Sequence, residues 1–459
     1  MNKEWITDML NFIESSPTAF QTVSQIKTIL TKEGYVELAE SEIWQMEPAG
    51  LYFTTRNHSS ILAWQMPQDY TRLSYNIVAS HSDSPTFKIK PNAVIQENGY
   101  LKLNTEGYGG MLCATWMDRP LSLAGRVIVR EEDRIVSRYL DCKRPLLTIP
   151  SLAIHMNREA NSNASYNPQK DMLPIMGLGK EPFDLKVFLA RELGVSPEAV
   201  LSFDLYLKNL EKGYVWGINE DLVSSCRLDD LQCAYTTLQG FLQGSSAHSV
   251  NVYCCFDNEE VGSRTRQGAA STFLLDTLRR IHCSMGLPES DLIRALASSL
   301  MVSADNAHAV HPNVPEKSDP TNRVYLNQGL VIKYNANQSY TSDAVSAALF
   351  QQLCQEAKVP VQIFTNRSDL KGGGTLGSIS TSQVSIASVD IGLPQLAMHS
   401  ANETAGVLDC DYMVRAIRRF YSTHRELMAD GVLVQKESLP KSDEKMAGKE
   451  NGCDHHSAD

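Results

Sequence analysis

Residues 250–263 read VNVYCCFDNEEVGS, a mostly apolar run that ends in two adjacent glutamates and a glycine. A run of this length followed by turn-forming residues predicts an interior β-strand that ends in a loop. The carboxylates of Glu259 and Glu260 repel each other. A divalent cation relieves that repulsion by taking one carboxylate as a ligand and leaving the other free as a base. For an isolated pair, a solvated acidic turn is the simpler explanation.

Other apolar segments of the chain also end in possible metal ligands. His81, Asp305 and His399 each follow such a segment, and Asp229 stands at the start of a predicted helix. In open α/β sheets, functional groups collect at the carboxyl ends of the strands, so we expect these side chains to meet the glutamate pair. Taken singly, His81 could be a hydrogen-bonded loop histidine, and Asp229 could simply favour the helix dipole.

The combined set of side chains predicts metal-dependent hydrolysis. With one glutamate set aside as a base, two imidazoles and three carboxylates remain, which suits zinc, manganese or cobalt. One carboxylate bridging two metal ions, with two further ligands for each, makes a dinuclear site. Two ions about 4 Å apart polarise a carbonyl and lower the pKa of a shared water. The spare glutamate accepts the proton of that water and passes it to the leaving amine.

Composition argues against several other functions. The chain has 459 residues, of which 42% are hydrophobic and 21% charged, as in a soluble globular protein. Its formal net charge of −11 disfavours nucleic acid, because a basic surplus is needed to release phosphate counterions. No run is long enough to span a membrane, and the N-terminal segment predicts an amphipathic helix instead of a signal peptide. The ten cysteines lack metal-binding spacing, so we expect reduced thiols in a cytoplasmic protein.

The order of the segments predicts an α/β fold with an insertion. Residues 1–89 and 209–436 alternate helical and strand-like patterns, which predicts a mixed sheet flanked by helices in one discontinuous domain. Residues 90–208 hold short alternating segments between glycines and prolines, which predicts a strand-rich inserted domain. A long helix is expected over residues 408–428, and a disordered tail over residues 437–459.

Six motifs, in a fixed order, resemble the bacterial type of the aspartyl aminopeptidase family of metallopeptidases. The similarity extends from about Trp5 to Met428. The motifs are HSDSP (81–85), TWMDRPLSLAGRV (115–127), RLDDL (227–231), DNEEVGS (257–263), SADNAHAVHPN (303–313) and QLAMHS (395–400).

This resemblance implies the architecture and the reaction. The catalytic domain would be zinc-peptidase-like, and residues 90–208 would form a dimerisation domain. Homodimers would assemble into a tetrahedral dodecamer whose active sites face an interior chamber that admits peptides. The reaction would be hydrolysis of the N-terminal residue, Asp or Glu, from peptide substrates. Neither nucleic acid nor a membrane is an expected partner.

The resemblance also implies two divalent metal ions per subunit, most often Zn²⁺, with Mn²⁺ or Co²⁺ as alternatives. Asp229 would bridge the two ions. His81 and Asp305 would complete the ligands of one ion, and Glu260 and His399 those of the other.

Three further residues take catalytic roles by resemblance. Glu259 would be the general base, and Asp83 would orient His81. His155 would reach the active site of a neighbouring subunit and stabilise the developing oxyanion. On the residues alone, His155 could also be a core histidine, because residues 152–154 beside it are apolar.

Lys333, Tyr340 and His308 match positions of the family that line the substrate pocket. A lysine near the side chain of the substrate explains a preference for Asp or Glu, although Lys333 could also be a surface charge at a strand end. The chain departs from the family at residues 113–114, at Pro120, at Asp230 and at residues 370–374, and none of these changes removes a ligand.

Two alternatives remain open on the sequence. In the first, the enzyme keeps the dinuclear chemistry but prefers a neutral, Leu-like N-terminal residue, or it is a related dinuclear carboxypeptidase or deacylase. The other is a non-catalytic assembly protein with the same fold, which the intact ligands and base disfavour.

Overall fold

The computed structural model describes residues 4–70, 73–428 and 430–436. The tail predicted over residues 437–459 lies outside the described residues. The helices are α1 (Glu4–Glu14), α2 (Ala19–Lys32), α3 (Leu185–Leu193), α4 (Leu228–Gln243), α5 (Phe273–Ser284), α6 (Glu289–Ala297), α7 (Ala344–Glu356), α8 (Leu376–Thr381) and α9 (Val407–Tyr421). Among the described residues, no helix combines the length and the apolar character needed to cross a membrane.

The strands form four sheets. In chain order they are β1 (Val36–Glu37), β2 (Leu51–Arg56), β3 (Ser60–Gln65), β4 (Ser74–His81), β5 (Thr86–Glu97), β6 (Tyr100–Tyr108), β7 (Leu121–Glu131), β8 (Arg134–Asp141), β9 (Ile175–Leu178), β10 (Val200–Asn209), β11 (Tyr214–Trp216), β12 (Leu222–Ser225), β13 (Ser249–Phe256), β14 (Leu300–Ala304), β15 (Ala307–His308), β16 (Leu330–Tyr334), β17 (Val361–Thr365), β18 (Ala387–Gly392), β19 (Pro394–Leu396), β20 (Glu403–Gly406), β21 (Thr423–Met428) and β22 (Gly431–Lys436).

A nine-stranded mixed sheet forms the centre of the fold, in the order β1-β2-β3-β13-β4-β14-β18-β16-β17. Strands β13, β4, β14 and β18 are parallel neighbours, whereas β3 and β16 pair antiparallel to this group. Helices cover both faces of this sheet, so the predicted α/β class with a mixed sheet is confirmed.

The alternation of side chains along β13 explains why its sequence is so apolar. Val252 and Cys254 pack into the core that contains α5 and α6, and Tyr253 and Cys255 pack into the core under α1, α4 and α9. A strand buried on both faces needs apolar side chains at nearly every position. Burying each large apolar side chain stabilises the fold by roughly 1.5 to 3 kcal/mol.

A second, six-stranded antiparallel sheet occupies residues 86–209, in the order β8-β7-β10-β5-β6-β9. It packs with α3 around a hydrophobic core that is separate from those of the central sheet. This sheet lies in the region where an inserted domain is expected. The domain limits at residues 90 and 208 and the dimerisation role stay predictions.

The helix expected over residues 408–428 is wrong in its last part. Helix α9 ends at Tyr421, and the chain continues as β21, which pairs antiparallel with β22. The side-chain amide of Asn76, on β4, donates to the main-chain oxygen of Thr423 at 2.9 Å, and the buried Arg425 side chain also bonds Asn76. These contacts with the central sheet stabilise an extended chain where local periodicity favours a helix.

Replacing Gly240 with alanine should destabilise the protein although it removes a glycine from helix α4. The new Cβ atom would lie 2.7 Å from Cβ of Ile417 on α9, so the two helices must separate. Such overpacking costs about 1 to 3 kcal/mol, whereas removing a helical glycine gains only about 1 kcal/mol. We expect a lower midpoint of urea unfolding, followed by circular dichroism.

Gln239→Ala, one position earlier in the same helix, is the control and should leave the midpoint nearly unchanged. A Gly240→Ala midpoint at or above that of the wild type would refute the close-packing argument.

Candidate metal centre

Neighbouring parallel strands bring His81, Asp305 and the glutamate pair to one edge of the central sheet. The register pairs Phe256 of β13 with His81, the last residue of β4. Strand β14, on the other side of β4, ends at Ala304, directly before Asp305. Because the carboxyl ends of parallel strands meet at the same edge, the turn after β13 and Asp305 both emerge beside His81.

Asp229 lies between the two histidines. Its Oδ1 is 3.4 Å from Nε2 of His81, and its Oδ2 is 3.6 Å from Nε2 of His399. Asp229 and Asp230 lie at the start of α4 with non-helical backbone angles, joined by a cis peptide bond. The buried Asp229 therefore presents one carboxylate oxygen to each imidazole, as a bridging ligand must.

The candidate ligands form overlapping groups, in each of which the potential ligand atoms all lie within 4.8 Å of one another. The groups are His81 with Asp229, Asp230 and Asp305; His81 with Glu259 and Glu260; and Asp229 with Glu260 and His399. Asp229 belongs to both the group that contains Asp305 and the group that contains His399. This arrangement suits two ions that share one carboxylate, and the role of each ligand stays a prediction.

The hydrogen bonding of the buried carboxylates also suits a metal ion. Oε1 of Glu260 is buried without a hydrogen-bond partner among the described residues. An unpaired buried carboxylate oxygen carries a large desolvation cost, which coordination of a cation offsets. Imidazole nitrogens and carboxylate oxygens are ligands that zinc commonly takes in proteins.

The two histidines are oriented so that Nε2 faces the carboxylates. Nδ1 of His81 donates to the main-chain oxygen of Asp83 at 3.0 Å, and Nδ1 of His399 donates to that of Gly110 at 2.5 Å. Such outer bonds fix the tautomer that a metal-binding histidine needs. The carboxylate of Asp83 lies farther from the ring, with Oδ1 3.4 Å from Nδ1 of His81.

Charge and burial shift the pKa values of these groups. Burial raises the pKa of Glu259 to about 8; the His81 charge opposes this shift, and nearby carboxylates, Asp305 first, add to it. The pKa of Glu260 is raised well above its usual range by burial and by Asp229. Burial would lower the pKa of His399, but contact with the Asp229 carboxylate raises it to about 9.

Two buried acids near the centre were not selected as site residues from the sequence. Glu403 accepts hydrogen bonds from the main-chain nitrogens of Asp229 at 3.0 Å and of His399 at 2.6 Å. Asp230 accepts one from the main-chain nitrogen of His81 at 3.1 Å. The RLDDL motif showed Asp230 as an additional acid, whereas no local pattern distinguishes Glu403 from an ordinary strand residue.

A cavity of about 320 Å³ opens onto the candidate ligands. All three residues predicted to bind substrate line this cavity: Lys333, Tyr340 and His308. Its walls also include three residues that were not predicted, namely Phe364, Thr375 and Met398. Lys333 is only 3% exposed, so it is not a surface charge. Its Nζ lies 3.6 Å from Oδ2 of Asp305 and 5.5 Å from the centre of the Tyr340 ring.

His308 keeps an open surface towards the cavity. Enclosure by the cavity walls lowers the pKa of His308, and the nearby Lys333 ammonium lowers it further, so the imidazole is neutral near pH 7. A neutral imidazole beside a buried ammonium offers both a donor and a single positive charge to a substrate.

His155 lies outside this cavity. It is exposed in the irregular segment between β8 and β9, so its interpretation as a core histidine is wrong. The cavity-lining residues in the described part of the chain do not include it. A role at another subunit's site stays a prediction.

Comparison with known proteins gives consistent matches over nearly the whole chain. A family model described as aminopeptidase I zinc metalloprotease (M18) matches residues 12–421. A "probable M18 family aminopeptidase 2" of Clostridium acetobutylicum is 45% identical over 427 residues, which cover 91% of this chain and 99% of the relative.

Solved structures with the same fold include a chain of a two-protein complex and a dodecamer. A chain in a cryo-EM structure of the Ape4 and Nbr1 complex superposes with a TM-score of 0.88 at 37% identity, covering 91% of this chain and 85% of that one. The mApe1 dodecamer of S. cerevisiae superposes with a TM-score of 0.79 at 26% identity, covering 91% and 96%.

Loading the metal-free protein with Zn²⁺ should release protons at about pH 7, and the affinity should rise as the pH is raised towards 9. With a pKa of about 9, His399 is protonated at neutral pH and must lose its proton to bind a metal ion. Titration calorimetry in two buffers of different ionisation enthalpy measures the number of protons released.

His399→Ala should release fewer protons than the wild type, because it lacks the His399 imidazole. Some release should persist, because the ligand group that contains His81 remains. A binding heat that does not depend on the buffer would contradict the assignment of these imidazoles as ligands.

Proposed function

The chain belongs to the aminopeptidase I zinc metalloprotease (M18) family, and on that premise we propose that it is a dinuclear zinc aminopeptidase that removes acidic N-terminal residues from peptides. Two groups of possible ligands share Asp229, and the five predicted ligands all line one cavity; this observation carries the proposal. Glu259 lies beside both groups and is not needed as a ligand for either ion.

When bound, the two ions supply the charge that polarises the scissile carbonyl and acidifies a water molecule. Glu259 acts as general base: its carboxylate accepts the proton of the water and delivers it to the leaving amine. The position of Glu259 is fixed through its main chain, because its nitrogen donates to Oδ1 of Asp83 at 3.1 Å. Glu260 differs in role. Its Oε2 lies 3.4 Å from Nε2 of His399, a distance at which both atoms would bind the same metal ion.

The acidic preference is inferred from the charges in the cavity. Lys333 supplies a buried ammonium, and Tyr340 and His308 supply neutral hydrogen-bonding groups beside it. A carboxylate side chain of the substrate binds such a group of donors more tightly than an aliphatic side chain does. The Lys333 ammonium also contacts Asp305, which keeps it charged although burial alone would lower its pKa.

Self-assembly is part of the proposal. The solved mApe1 relative is a dodecamer. We infer that this chain forms homodimers through the six-stranded sheet of residues 86–209, the inserted sheet, and then a dodecamer. Leu152, Ile154 and Met156 are exposed apolar side chains around His155. An interface over this segment buries them and carries His155 to a neighbouring subunit, where it stabilises the developing oxyanion. We also infer a cytoplasmic location, supported by the free thiols of all nine cysteines in the described residues.

Glu259→Gln should lower kcat by about 10²- to 10⁴-fold, because the amide cannot accept a proton. Its zinc content should stay near that of the wild type. Glu260→Gln is the matched comparison, one residue away, and should lose zinc as well as activity. Metal analysis and turnover of a peptide substrate measure the two effects.

Equal activity of the metal-loaded wild type and Glu259→Gln would refute the enzyme proposal and favour the non-catalytic assembly.

Lys333→Met should lower the ratio of kcat/KM for Asp peptides to that for Leu peptides by about 10- to 100-fold, because a charged hydrogen bond contributes about 1.5 to 3 kcal/mol. The ratio cancels any general loss that follows from the contact of Lys333 with Asp305. Release of the N-terminal residue from Asp-, Glu- and Leu-starting peptides is followed by chromatography.

Lys371→Met, an exposed lysine in the glycine-rich loop before the cavity-lining Thr375, is the control and should keep the wild-type ratio. A wild type that prefers Leu peptides would establish the neutral alternative. Release of C-terminal residues only would refute aminopeptidase activity.

A further inference from the structure

The inserted sheet contacts the metal centre directly through the residues that end strand β6. The hydroxyl of Tyr108, the last residue of β6, donates to Oδ2 of Asp83 at 2.7 Å and accepts from Nδ2 of Asn258 at 2.8 Å. We propose that Tyr108 is a positioning residue for the hydrolysis: it holds Asp83, and through Asp83 the main chain that carries Glu259 and Glu260. This inference rests on the proposed function.

The carboxylate of Asp83 holds the main chain of both glutamates. Its Oδ1 accepts from the main-chain nitrogen of Glu259 at 3.1 Å, and its Oδ2 accepts from that of Glu260 at 3.2 Å. The two glutamates lie in a single turn of 3₁₀-helix that follows Asn258, whose φ is +64°. Rotation of the Asp83 carboxylate would release both nitrogens, so the orientation of Glu259 and Glu260 depends on that carboxylate.

The direction of each hydrogen bond at Tyr108 follows from the chemistry of its partners. The oxygen of the Asn258 amide accepts from Oγ1 of Thr265 at 2.8 Å and from Nε2 of Gln267 at 2.7 Å, which leaves its nitrogen to donate to Tyr108. The single hydroxyl proton of Tyr108 is then available for Asp83. Phenylalanine at this position would remove both bonds and leave the ring in place.

The same segment also supports the other ligand group. The main-chain oxygen of Gly110 accepts from Nδ1 of His399, and the nitrogen of Leu112 donates to the main-chain oxygen of His399 at 3.0 Å. Gly109 packs so closely that a Cβ atom there would lie 3.1 Å from Cβ of Glu260. Residues 108–112, which are the end of β6 and the start of the connection to β7, therefore contact both sides of the centre.

The competing explanation is that Tyr108 only packs. Its ring meets that of Tyr206 edge-on, with the ring centres 5.6 Å apart. Tyr206 has no hydroxyl hydrogen bond among the described residues, so Tyr206→Phe is a matched control that removes a hydroxyl from the same aromatic pair.

The test compares Tyr108→Phe, Tyr206→Phe and the wild type as full-length, zinc-loaded proteins. Loss of an outer hydrogen bond at a metal site costs about 10- to 100-fold in activity or metal affinity. We expect Tyr108→Phe to lose kcat by about this factor with KM changed much less, and Tyr206→Phe to match the wild type. Wild-type kcat in Tyr108→Phe would overturn the proposal, and so would an equal loss in both variants.

Two further measurements separate positioning from packing. In the metal-free proteins, amide hydrogen exchange of residues 258–263 should be faster in Tyr108→Phe than in the other two, and unchanged exchange would overturn the proposal. In a double-mutant cycle, adding Tyr108→Phe to Asp83→Asn should cost little more activity than Asp83→Asn alone, whereas fully multiplicative losses would show that the two residues act independently. An inactive wild type would contradict the proposed function alone, because the exchange experiment needs neither zinc nor substrate.

Discussion

Crowding of carboxylates at one edge of the central sheet is the constraint on which the rest of the structure depends. The buried carboxylate of Asp229 lies within reach of both Asp305 and Glu260, where the lack of water strengthens the repulsion between carboxylates. Protonation or a cation must offset that repulsion. Burial and the neighbouring charge of Asp229 shift the pKa of Glu260 far upward, so the site binds protons tightly when no metal ion is bound. The chain belongs to a zinc metalloprotease family, so a metal ion is the expected source of that positive charge.

Outer hydrogen bonds hold this arrangement together. Glu403 binds the main-chain nitrogens of Asp229 and His399, and Asp83 binds those of the two neighbouring glutamates. Each of these carboxylates accepts hydrogen bonds from two backbone groups. Glu403 thereby joins two separate segments, whereas Asp83 fixes the single turn that carries both glutamates. A rigid outer set of bonds is what keeps ligand atoms close enough for a metal ion to bind without rearrangement.

The inserted sheet is joined to this outer set and is not a separate attachment. Its own core is distinct from the two cores of the central sheet. Tyr108, at the end of β6, nevertheless bonds Asp83, and Gly110, in the connection to β7, bonds His399. A movement of the six-stranded sheet would therefore reach both ligand groups. If the sheet forms the proposed subunit interface, assembly and the geometry of the metal centre are physically coupled.

The sequence by itself determined that apolar strands end at His81 and shortly before Glu259 and Asp305, and that the sheet is of mixed α/β type. These features are local, because the apolar run 250–256 and the acids that follow it are neighbours along the chain. Only the tertiary structure decided the distances between ligands and the roles of Glu403 and Tyr108. It also decided that β21 replaces the end of the expected C-terminal helix. These outcomes depend on hydrogen bonds between segments far apart in sequence, whose energies leave no periodic signal in the residues that make them.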